Sequence, residues 1–249
     1  RRLIKALEDF SVNYSNKVTN SSGQIIQFMY GDDGIDPVYV ERQKFPTLLL
    51  SGKELSDKYE VKGKNATAKT KKEFAQIKKD KDFVLSVRHV FQDGDMGQVF
   101  LSVNVDRVIL NTVNGFKGIS TKLKYDDVID KILDLTETLP KLFKNRLNDN
   151  ANISSNYDSA VHFISIIIRA KLASREVIEN YKFSKEALDS VIEQIKIKFL
   201  KSIAQAGEMV GIITAQSIGE PSTQLTLNSF TYETPIIVRN KDKICSSVQ

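Results

Sequence analysis

Residues 184–199, SKEALDSVIEQIKIKF, decide the fold class, because they have the pattern of one amphipathic helix. Ser184 is a residue type that commonly caps a helix N-terminus by accepting a backbone hydrogen bond. Apolar residues then recur at helical spacing and predict one buried stripe: Leu188, Val191, Ile192, Ile195 and Phe199. A second helix is predicted over residues 158–181, with the stripe Val161, Ile164, Ile168 and Leu172.

Outward from these two helices the pattern stays mostly helical, with a few short strands. Helices are predicted over residues 1–14 and 125–146, and another begins at Asp106 after an extended stretch. Residues 38–81 have a charged, irregular pattern with short helices, and IIQFM (25–29) predicts a short buried strand or extended segment. The predicted fold class is therefore α+β, predominantly helical. Both ends lack the usual start and stop signals, which indicates an internal fragment of a larger multidomain chain.

Composition excludes several classes of protein. The 249 residues are 41% hydrophobic, enough for a core, and no long uncharged apolar run predicts a transmembrane helix. The single cysteine, Cys245, excludes an internal disulfide framework and fits a reducing compartment. One cysteine and two histidines cannot form a zinc finger. Much of the net charge of +5 lies in the lysine-rich block 58–81, whose pattern favours a solvated loop over a nucleic-acid contact.

The tetrad YGDD (30–33), within QFMYGDDGIDP, is the motif that RNA-dependent RNA polymerases place on a hairpin to hold magnesium. A two-metal site needs carboxylates from separate places held about 4 Å apart, and the only acids before the tetrad lie on the predicted N-terminal helix. Three aspartates surround Gly34 and precede Pro37, which is ordinary turn chemistry: Asp32, Asp33 and Asp36. The sequence therefore favours a structural turn here. DGDMG (93–97) is likewise a turn-sized cluster without a third carboxylate at ligand spacing.

Two stretches carry a resemblance to a known family. RRLIKALEDF and GQIIQFMYGDDGID (1–10 and 23–36) resemble the end of the bridge helix, and the segment after it, in the largest subunit of multisubunit DNA-directed RNA polymerases of the eukaryotic and archaeal type. GEMVGIITAQSIGEPSTQLTLNSF (207–230) is similar to that subunit's lead into the trigger loop, and this match is highly specific. Weaker matches lie at 101–111 and 166–192 in the same order. The expected relatives are RNA polymerase II-like, including versions carried by large DNA viruses.

The resemblance implies how this internal fragment of a larger multidomain subunit is organised. Residues 1–14 would be the end of the bridge helix, and residues 15–205 a mostly helical foot and cleft region. Residues 206–228 would form the helix leading into the trigger loop, with GEP (219–221) as a hinge or tight connector between two helical stretches. Residues 229–249 would be the N-terminal segment of an intein or a divergent trigger loop.

The choice between an intein and a divergent trigger loop rests on the residues after Phe230. Thr231 stands where the family has a histidine that contacts the triphosphate. The stretch SFTYETPIIVRN (229–240) resembles the start of an intein, which begins with Cys or Ser before an acid-Thr-x-apolar run in a β-strand. That resemblance would make Ser229 the nucleophile that attacks the preceding Asn228 carbonyl in an N-to-O acyl shift.

The same likeness implies the residues that would contact the nucleotide. Gln224, Leu227 and Asn228 fall at i, i+3 and i+4 and therefore share one helix face. The two carboxamides would hydrogen-bond the ribose hydroxyls, by which a ribonucleotide is told from a deoxyribonucleotide. Leu227 would lie against the base. Closure of such a helix over a bound triphosphate excludes water and aligns the reacting phosphate.

Nucleic-acid contacts, a cofactor and partners are also implied by the likeness. Arg1, Arg2 and Lys5 would contact phosphates of the template strand, which positions the strand without reading its sequence. The full enzyme uses Mg²⁺ on an aspartate triad upstream of the bridge helix, so no metal ligand is expected in this segment. The implied partners are the second-largest and smaller subunits, the DNA template, the RNA product and ribonucleoside triphosphates, with no membrane. The implied location is the nucleus, or the cytoplasm or virion for a large DNA virus.

The predicted function is template-directed RNA synthesis by a DNA-directed RNA polymerase, a nucleotidyltransferase. This segment would contribute nucleotide selection and active-site closure, and would be inactive alone. Two alternatives stay open. One is a fragment of a YGDD-type RNA-dependent RNA polymerase, and the other is a non-catalytic helical scaffold that binds polymerase subunits.

Overall fold

The computed structural model describes residues 1–63, 66–87, 98–115, 123–147 and 154–231. Within these ranges, only the backbone is described for residues 98, 143–147, 154–160 and 226–231. The chain divides into two compact units. The central unit comprises Met29–Gln205, and the terminal unit comprises Arg1–Phe28 together with the chain from Ala206 onward.

Helices dominate the described residues. In chain order they are α1 (Arg2–Leu7), α2 (Gly52–Tyr59), α3 (Ala68–Val87), α4 (Val105–Gly115), α5 (Tyr125–Leu147), α6 (Ser154–Lys171), α7 (Lys185–Lys201) and α8 (Val210–Thr231). The strands are β1 (Ser11–Val12), β2 (Val18–Thr19), β3 (Ile25–Gln27), β4 (Glu41–Lys44) and β5 (Gln98–Leu101). They form one antiparallel three-stranded sheet, β1-β2-β3, and one antiparallel pair, β4-β5. The prediction of a predominantly helical α+β fold is confirmed.

The core of the central unit is formed by the apolar stripes of α6 and α7. Four of the five residues predicted for the α7 stripe are fully buried, namely Leu188, Val191, Ile195 and Phe199, and so are Val161, Ile164, Ile168 and Leu172 of the preceding stripe. Helix α5 packs against both α6 and α7, and α4 packs against α7. Burial of each such side chain contributes about 1.5–3 kcal/mol of transfer free energy. Ser184 caps α7 as predicted, because its hydroxyl accepts the Ala187 N–H at 3.1 Å.

Residues 38–81 are more regular than predicted. Strand β4 pairs with β5 from Glu41–Leu101 to Lys44–Gln98. Helix α3 is 20 residues long, and it begins where the Thr67 hydroxyl accepts the Thr70 N–H at 3.3 Å. Its buried positions include two polar side chains beside the apolar ones: Thr70, Ile77, Asp80 and Val84. Because lysines fill most of the other positions, the helical period of this stretch is weak in the sequence.

The helix predicted over residues 158–181 is interrupted in the structure. Helix α6 ends at Lys171, and the chain resumes helical geometry at Ser174, followed by a π-helical turn over Glu176–Asn180. The Glu73 carboxylate on α3 accepts the Ser174 N–H at 2.9 Å and also the Ser174 hydroxyl. In an unbroken helix that N–H would donate to the Ala170 carbonyl. A side chain distant in sequence therefore starts the new turn.

Two predictions for the first 30 residues differ from the structure. The helix predicted over residues 1–14 ends at Leu7, and Ser11–Val12 forms strand β1, because the backbone there is hydrogen-bonded to a distant segment. The stretch predicted as a buried strand contains β3, but its isoleucines are half exposed: Ile25 is 46% and Ile26 is 48% exposed. Only Met29, in the central unit, is buried among these residues, at 3%.

The contact of Glu73 with Ser174 leads to a first prediction. Replacing Glu73 with Ala leaves the buried Ser174 N–H without its acceptor, so the free energy of unfolding should fall by about 1–3 kcal/mol. Urea denaturation of the chain measures this, and Glu193→Ala on exposed α7 surface is the matched control.

The same carboxyl makes stability depend on pH. Burial raises the pKa of Glu73, opposed by its hydrogen bonds from Ser174. A raised carboxyl pKa means that the folded state holds the proton more tightly, so the parent should lose stability relative to Glu73→Gln as pH rises above the ordinary carboxyl range. Equal stability of the Ala variant and the parent would contradict the role of Glu73.

Candidate nucleotide-contact helix and its anchor

A backbone seam in the terminal unit joins the segment Phe10–Val12 to the segment Gly207–Gly211. The Gly207 N–H donates to the Val12 carbonyl at 2.7 Å, and the Val12 N–H donates to the Glu208 carbonyl at 3.0 Å. The Gly211 N–H donates to the Phe10 carbonyl at 3.1 Å. These three hydrogen bonds hold the start of α8 against the residues that follow α1. The sequence matches that carried the resemblance therefore meet in one unit.

Gly211 lies at the closest approach within this seam. A Cβ placed on it would lie 1.8 Å from the Leu7 carbonyl oxygen and 2.9 Å from the Phe10 Cβ. Real Cβ atoms are not found that close to another heavy atom, so the contact between α1 and α8 requires glycine here. Gly207, which precedes the helix, has a φ of +90° that also favours glycine. The sequence motif contained both glycines, but nothing local to them indicated this contact.

Helix α8 is buried at its start and exposed along its second half. Val210 is 6% exposed and Ala215 is 2% exposed, whereas the described side chains from 216 to 225 are almost all exposed. The helix runs without interruption through residues 219–221. The prediction that this GEP stretch separates two helices is therefore wrong.

The GEP stretch nevertheless weakens the helix locally. Pro221 has no N–H, so the Ser217 carbonyl lacks the backbone donor that a regular helix would supply. Side-chain hydroxyls also donate to carbonyls four residues earlier, from Ser217 to Ile213 at 2.8 Å and from Thr223 to Gly219 at 2.9 Å. Such hydroxyl contacts often bend helices. The middle of α8 is helical but has the poorest backbone support.

The residues predicted to contact the nucleotide lie on the exposed half of α8. Gln224 is exposed, and its Nε2 donates to Glu220 Oε1 at 3.2 Å within the same helix. Leu227 and Asn228 continue the helical backbone, which keeps them on the face of Gln224, while their side chains lie outside the described atoms. Ser229 also belongs to the helical backbone, and the residues after Thr231 lie outside the described ranges.

The predicted phosphate contacts are at the other end of the same unit. Arg1, Arg2 and Lys5 are all exposed. The Lys5 ammonium pairs with the Glu8 carboxylate at 3.0 Å, one turn along α1. An exposed pair of this kind contributes about 0–1 kcal/mol, so the ammonium can exchange this carboxylate for a phosphate at little cost.

The YGDD stretch forms a turn in the central unit, as the sequence predicted. Gly31, Asp32 and Gly34 have φ values of 61°, 64° and 66°, all in the left-handed region. Asp33 Oδ1 accepts the Ile35 N–H at 3.0 Å. Burial raises the pKa of the Asp33 carboxyl, and the hydrogen bond from Ile35 opposes that shift. This carboxylate shapes the backbone.

The turn is also tied to the end of α7. Ile35 forms an antiparallel bridge with Ile203, and the Ala204 N–H donates to the Gly34 carbonyl at 3.0 Å. Within the part of the chain that the structure describes, no three His, Cys, Asp or Glu side chains gather where they could hold a metal ion. The described residues therefore do not fit the Mg²⁺ of the implied enzyme. DGDMG (93–97) lies outside the described residues.

A separate cleft of about 700 Å³ lies between α3, α5 and α6 of the central unit. Ile77 and Val161 contribute to its apolar lining, and the Lys69–Asp130 ion pair, at 2.6 Å, lies at its surface. Burial lowers the pKa of His162 there, and the nearby Arg169 acts in the same direction. None of the predicted site residues lines this cleft. Every helix in the described ranges is too short or too polar to span a membrane.

Comparison with known proteins identifies relatives over nearly the whole chain. The family described as RNA polymerase Rpb1, domain 5, matches residues 1–235. DNA-directed RNA polymerase II subunit RPB1-A and DNA-directed RNA polymerase II subunit RPB1-B, both from Trypanosoma brucei brucei, are each 32% identical to the chain over 265 aligned residues. Each alignment covers 92% of this chain, which spans only 15% of the length of either relative.

These likenesses, together with the helical fold and the seam, define the class: a fragment of the largest subunit of a multisubunit RNA polymerase. Because the family match covers 235 of 249 residues, the chain belongs to the family RNA polymerase Rpb1, domain 5. The resemblance found in the sequence is confirmed at this level.

The seam leads to a second prediction. Gly211→Ala should open the contact between α1 and α8, because the added methyl overlaps the Leu7 carbonyl, and should destabilise the terminal unit by at least about 1–3 kcal/mol. Thermal unfolding followed by circular dichroism measures the loss. Gly219→Ala is the control on the same helix, since a Cβ there meets nothing within 4 Å. The account of the seam is contradicted if the two variants behave alike.

Proposed function

We propose that this chain is the part of a DNA-directed RNA polymerase largest subunit that closes over the incoming ribonucleoside triphosphate. The observation that carries the proposal is a helix fixed at one end and exposed at the other. Gly211 fixes the start of α8, and Gln224 lies thirteen residues further on, about 20 Å along the helix axis. The full enzyme would join ribonucleotides on a DNA template with release of pyrophosphate.

The middle of α8 would allow the exposed half to move. Bending a helix at a proline costs less than bending it elsewhere, because one hydrogen bond is already missing. Pro221 lies between the buried start of α8 and Gln224. Movement there would close the exposed half over a nucleotide while the seam keeps the buried half in place.

The exposed half of α8 has the chemistry that nucleotide selection needs. The Gln224 carboxamide would leave Glu220 and hydrogen-bond a ribose hydroxyl, an exchange that costs little because the present contact is exposed. Asn228, one turn further, would supply a second carboxamide, and Leu227 would contact the base. A site that hydrogen-bonds a substrate hydroxyl strongly rejects the analogue lacking it.

The cations of α1 would serve the template strand. Arg1 and Arg2 are exposed, and Lys5 is held only by a weak surface pair. Since the seam places α1 beside the start of α8, template contact and nucleotide closure would be supported by one unit. Mg²⁺ and the second-largest and smaller subunits would be supplied by the rest of the enzyme, in the nucleus or, for a viral enzyme, in the cytoplasm or virion.

Residues 229–249 have two competing interpretations, with opposite consequences for the mature subunit. An intein that begins at Ser229 would be removed, and a divergent trigger loop would be retained. The run of α8 to Thr231 and the family match to residue 235 support retention, while SFTYETPIIVRN supports the intein. Intact-mass analysis of the mature subunit distinguishes them, because only the divergent loop keeps the TYETPIIV peptide.

A third prediction concerns the selecting amides. In the assembled polymerase, Gln224→Ala should reduce preference for ribonucleotides over deoxyribonucleotides by about tenfold, the equivalent of one hydrogen bond near 1.4 kcal/mol. Competitive incorporation assays measure the preference. Gln216→Ala, the same change at another exposed position of α8, is the control. Unchanged preference in both variants, and in Gln224→Ala/Asn228→Ala, would favour the non-catalytic scaffold.

A fourth prediction separates this function from a YGDD-type polymerase. Asn at positions 32 and 33 keeps a side-chain oxygen for the Ile35 N–H and tolerates the left-handed backbone. The double variant Asp32→Asn/Asp33→Asn should therefore retain RNA synthesis, whereas Asp33→Ala should lose about 1 kcal/mol of folding stability. If the Asn pair abolishes synthesis while thermal unfolding is unchanged, the two aspartates hold metal and the proposed function is wrong.

A further inference from the structure

The structure sorts the lysines of the block 58–81 into two groups. Several are engaged within the protein. Lys58 pairs with Glu176 at 3.7 Å, Lys62 with Asp57 at 2.8 Å and Lys69 with Asp130 at 2.6 Å, while Lys81 donates to the Leu50 carbonyl. These four stabilise the central unit. Lys64 lies outside the described residues.

The remaining four lysines form one outward face of α3. They are Lys71, Lys72, Lys78 and Lys79, and each is exposed. Among the residues that the structure describes, none of the four has an ion-pair partner. At 100° per residue, Lys71 and Lys78 lie nearly in line, as do Lys72 and Lys79. We call these four side chains the lysine face.

The geometry of the lysine face suits an extended polyanion. Within each of the two rows, the lysines are seven residues apart, about 10.5 Å along the axis, which corresponds to about three steps of one duplex strand at 3.4 Å each. Ala75 lies between the rows and is exposed, so no large side chain separates them. Asp82 is the one acidic side chain among them, and it leaves the face with a net charge near +3.

The side chains on this face favour a duplex over a single strand. Proteins that bind single strands usually stack bases on aromatic side chains. Phe83, the exposed aromatic on this helix, is engaged edge-on by the His162 ring at a centroid distance of 4.8 Å. Lysine ammonium groups act as point charges that contact phosphates without reading bases.

We propose that the lysine face of α3 binds the phosphate backbone of double-stranded DNA. The choice of DNA rests on the proposed function, since the template of such a polymerase is duplex outside the reaction centre. Contact would be electrostatic and independent of sequence, because phosphates are neutralised and bases are not read. The lysines engaged within the protein would take no part, since their charges are already paired.

The test uses the assembled polymerase and a fluorescent DNA duplex, with affinity measured over a range of NaCl concentrations. Each lysine that neutralises a phosphate contributes about 0.9 to the slope of log affinity against log salt. The variant Lys71→Gln/Lys72→Gln/Lys78→Gln/Lys79→Gln should therefore lower the magnitude of that slope by up to about 3.6. Glutamine keeps the helix propensity close to that of lysine, and circular dichroism checks the fold.

A control variant with the same charge change removes four exposed lysines from separate parts of the central unit: Lys44→Gln, Lys53→Gln, Lys141→Gln and Lys182→Gln. It should leave the slope unchanged. A photoreactive side chain placed at Ala75 should crosslink to the duplex in the parent background. Equal slopes for the two quadruple variants, or no crosslink to DNA, would overturn the proposal.

Two further readouts keep the interpretation separate from other causes. If the quadruple variant at the lysine face loses a protein subunit while its salt slope stays at the parent value, the face binds an acidic protein and the DNA proposal is wrong. Ribonucleotide preference on a pre-bound template depends on α8 and not on α3. It should be unchanged in this variant, so the failure of one proposal is distinguishable from the failure of the other.

Discussion

The terminal unit depends on the contact between the Leu7 carbonyl and Gly211. At this point α1 and α8 come so close that only a hydrogen atom fits where other residues carry a Cβ. Hydrogen bonds from Gly207 and Gly211 hold the two segments in register. The constraint is one of steric exclusion and backbone pairing, and it acts between residues at opposite ends of the chain.

Because the start of α8 is held there, its two halves have different properties. Residues near Ala215 are packed, and residues around Gln224 are solvated. Pro221 interrupts the hydrogen bonding between them without ending the helix. A polymerase that must open for each nucleotide and close on the matching one needs such a combination of a fixed base and a movable, polar end. The membership of the chain in the Rpb1 family gives this arrangement its functional setting.

The sequence predicted what depends on neighbours along the chain. Helix α7, its Ser184 cap and the turn at YGDD were all found as expected, since their determinants lie within a few residues of one another. Predictions were wrong where a distant group decides the outcome. Glu73 interrupts the helix expected over 158–181 from a position 101 residues away, and the pairing of each lysine depends on acids brought near by folding. Pro221 was expected to end a helix that in fact continues through it.

Amide hydrogen exchange in the assembled polymerase, halted on a DNA template, tests the central claim most directly. The account predicts that the matching ribonucleoside triphosphate slows exchange over residues 222–231 more than its 2′-deoxy counterpart does. Exchange over residues 207–215, which the seam already protects, should be the same in both cases. Equal protection of residues 222–231 by the two nucleotides, or none by either, would contradict the account.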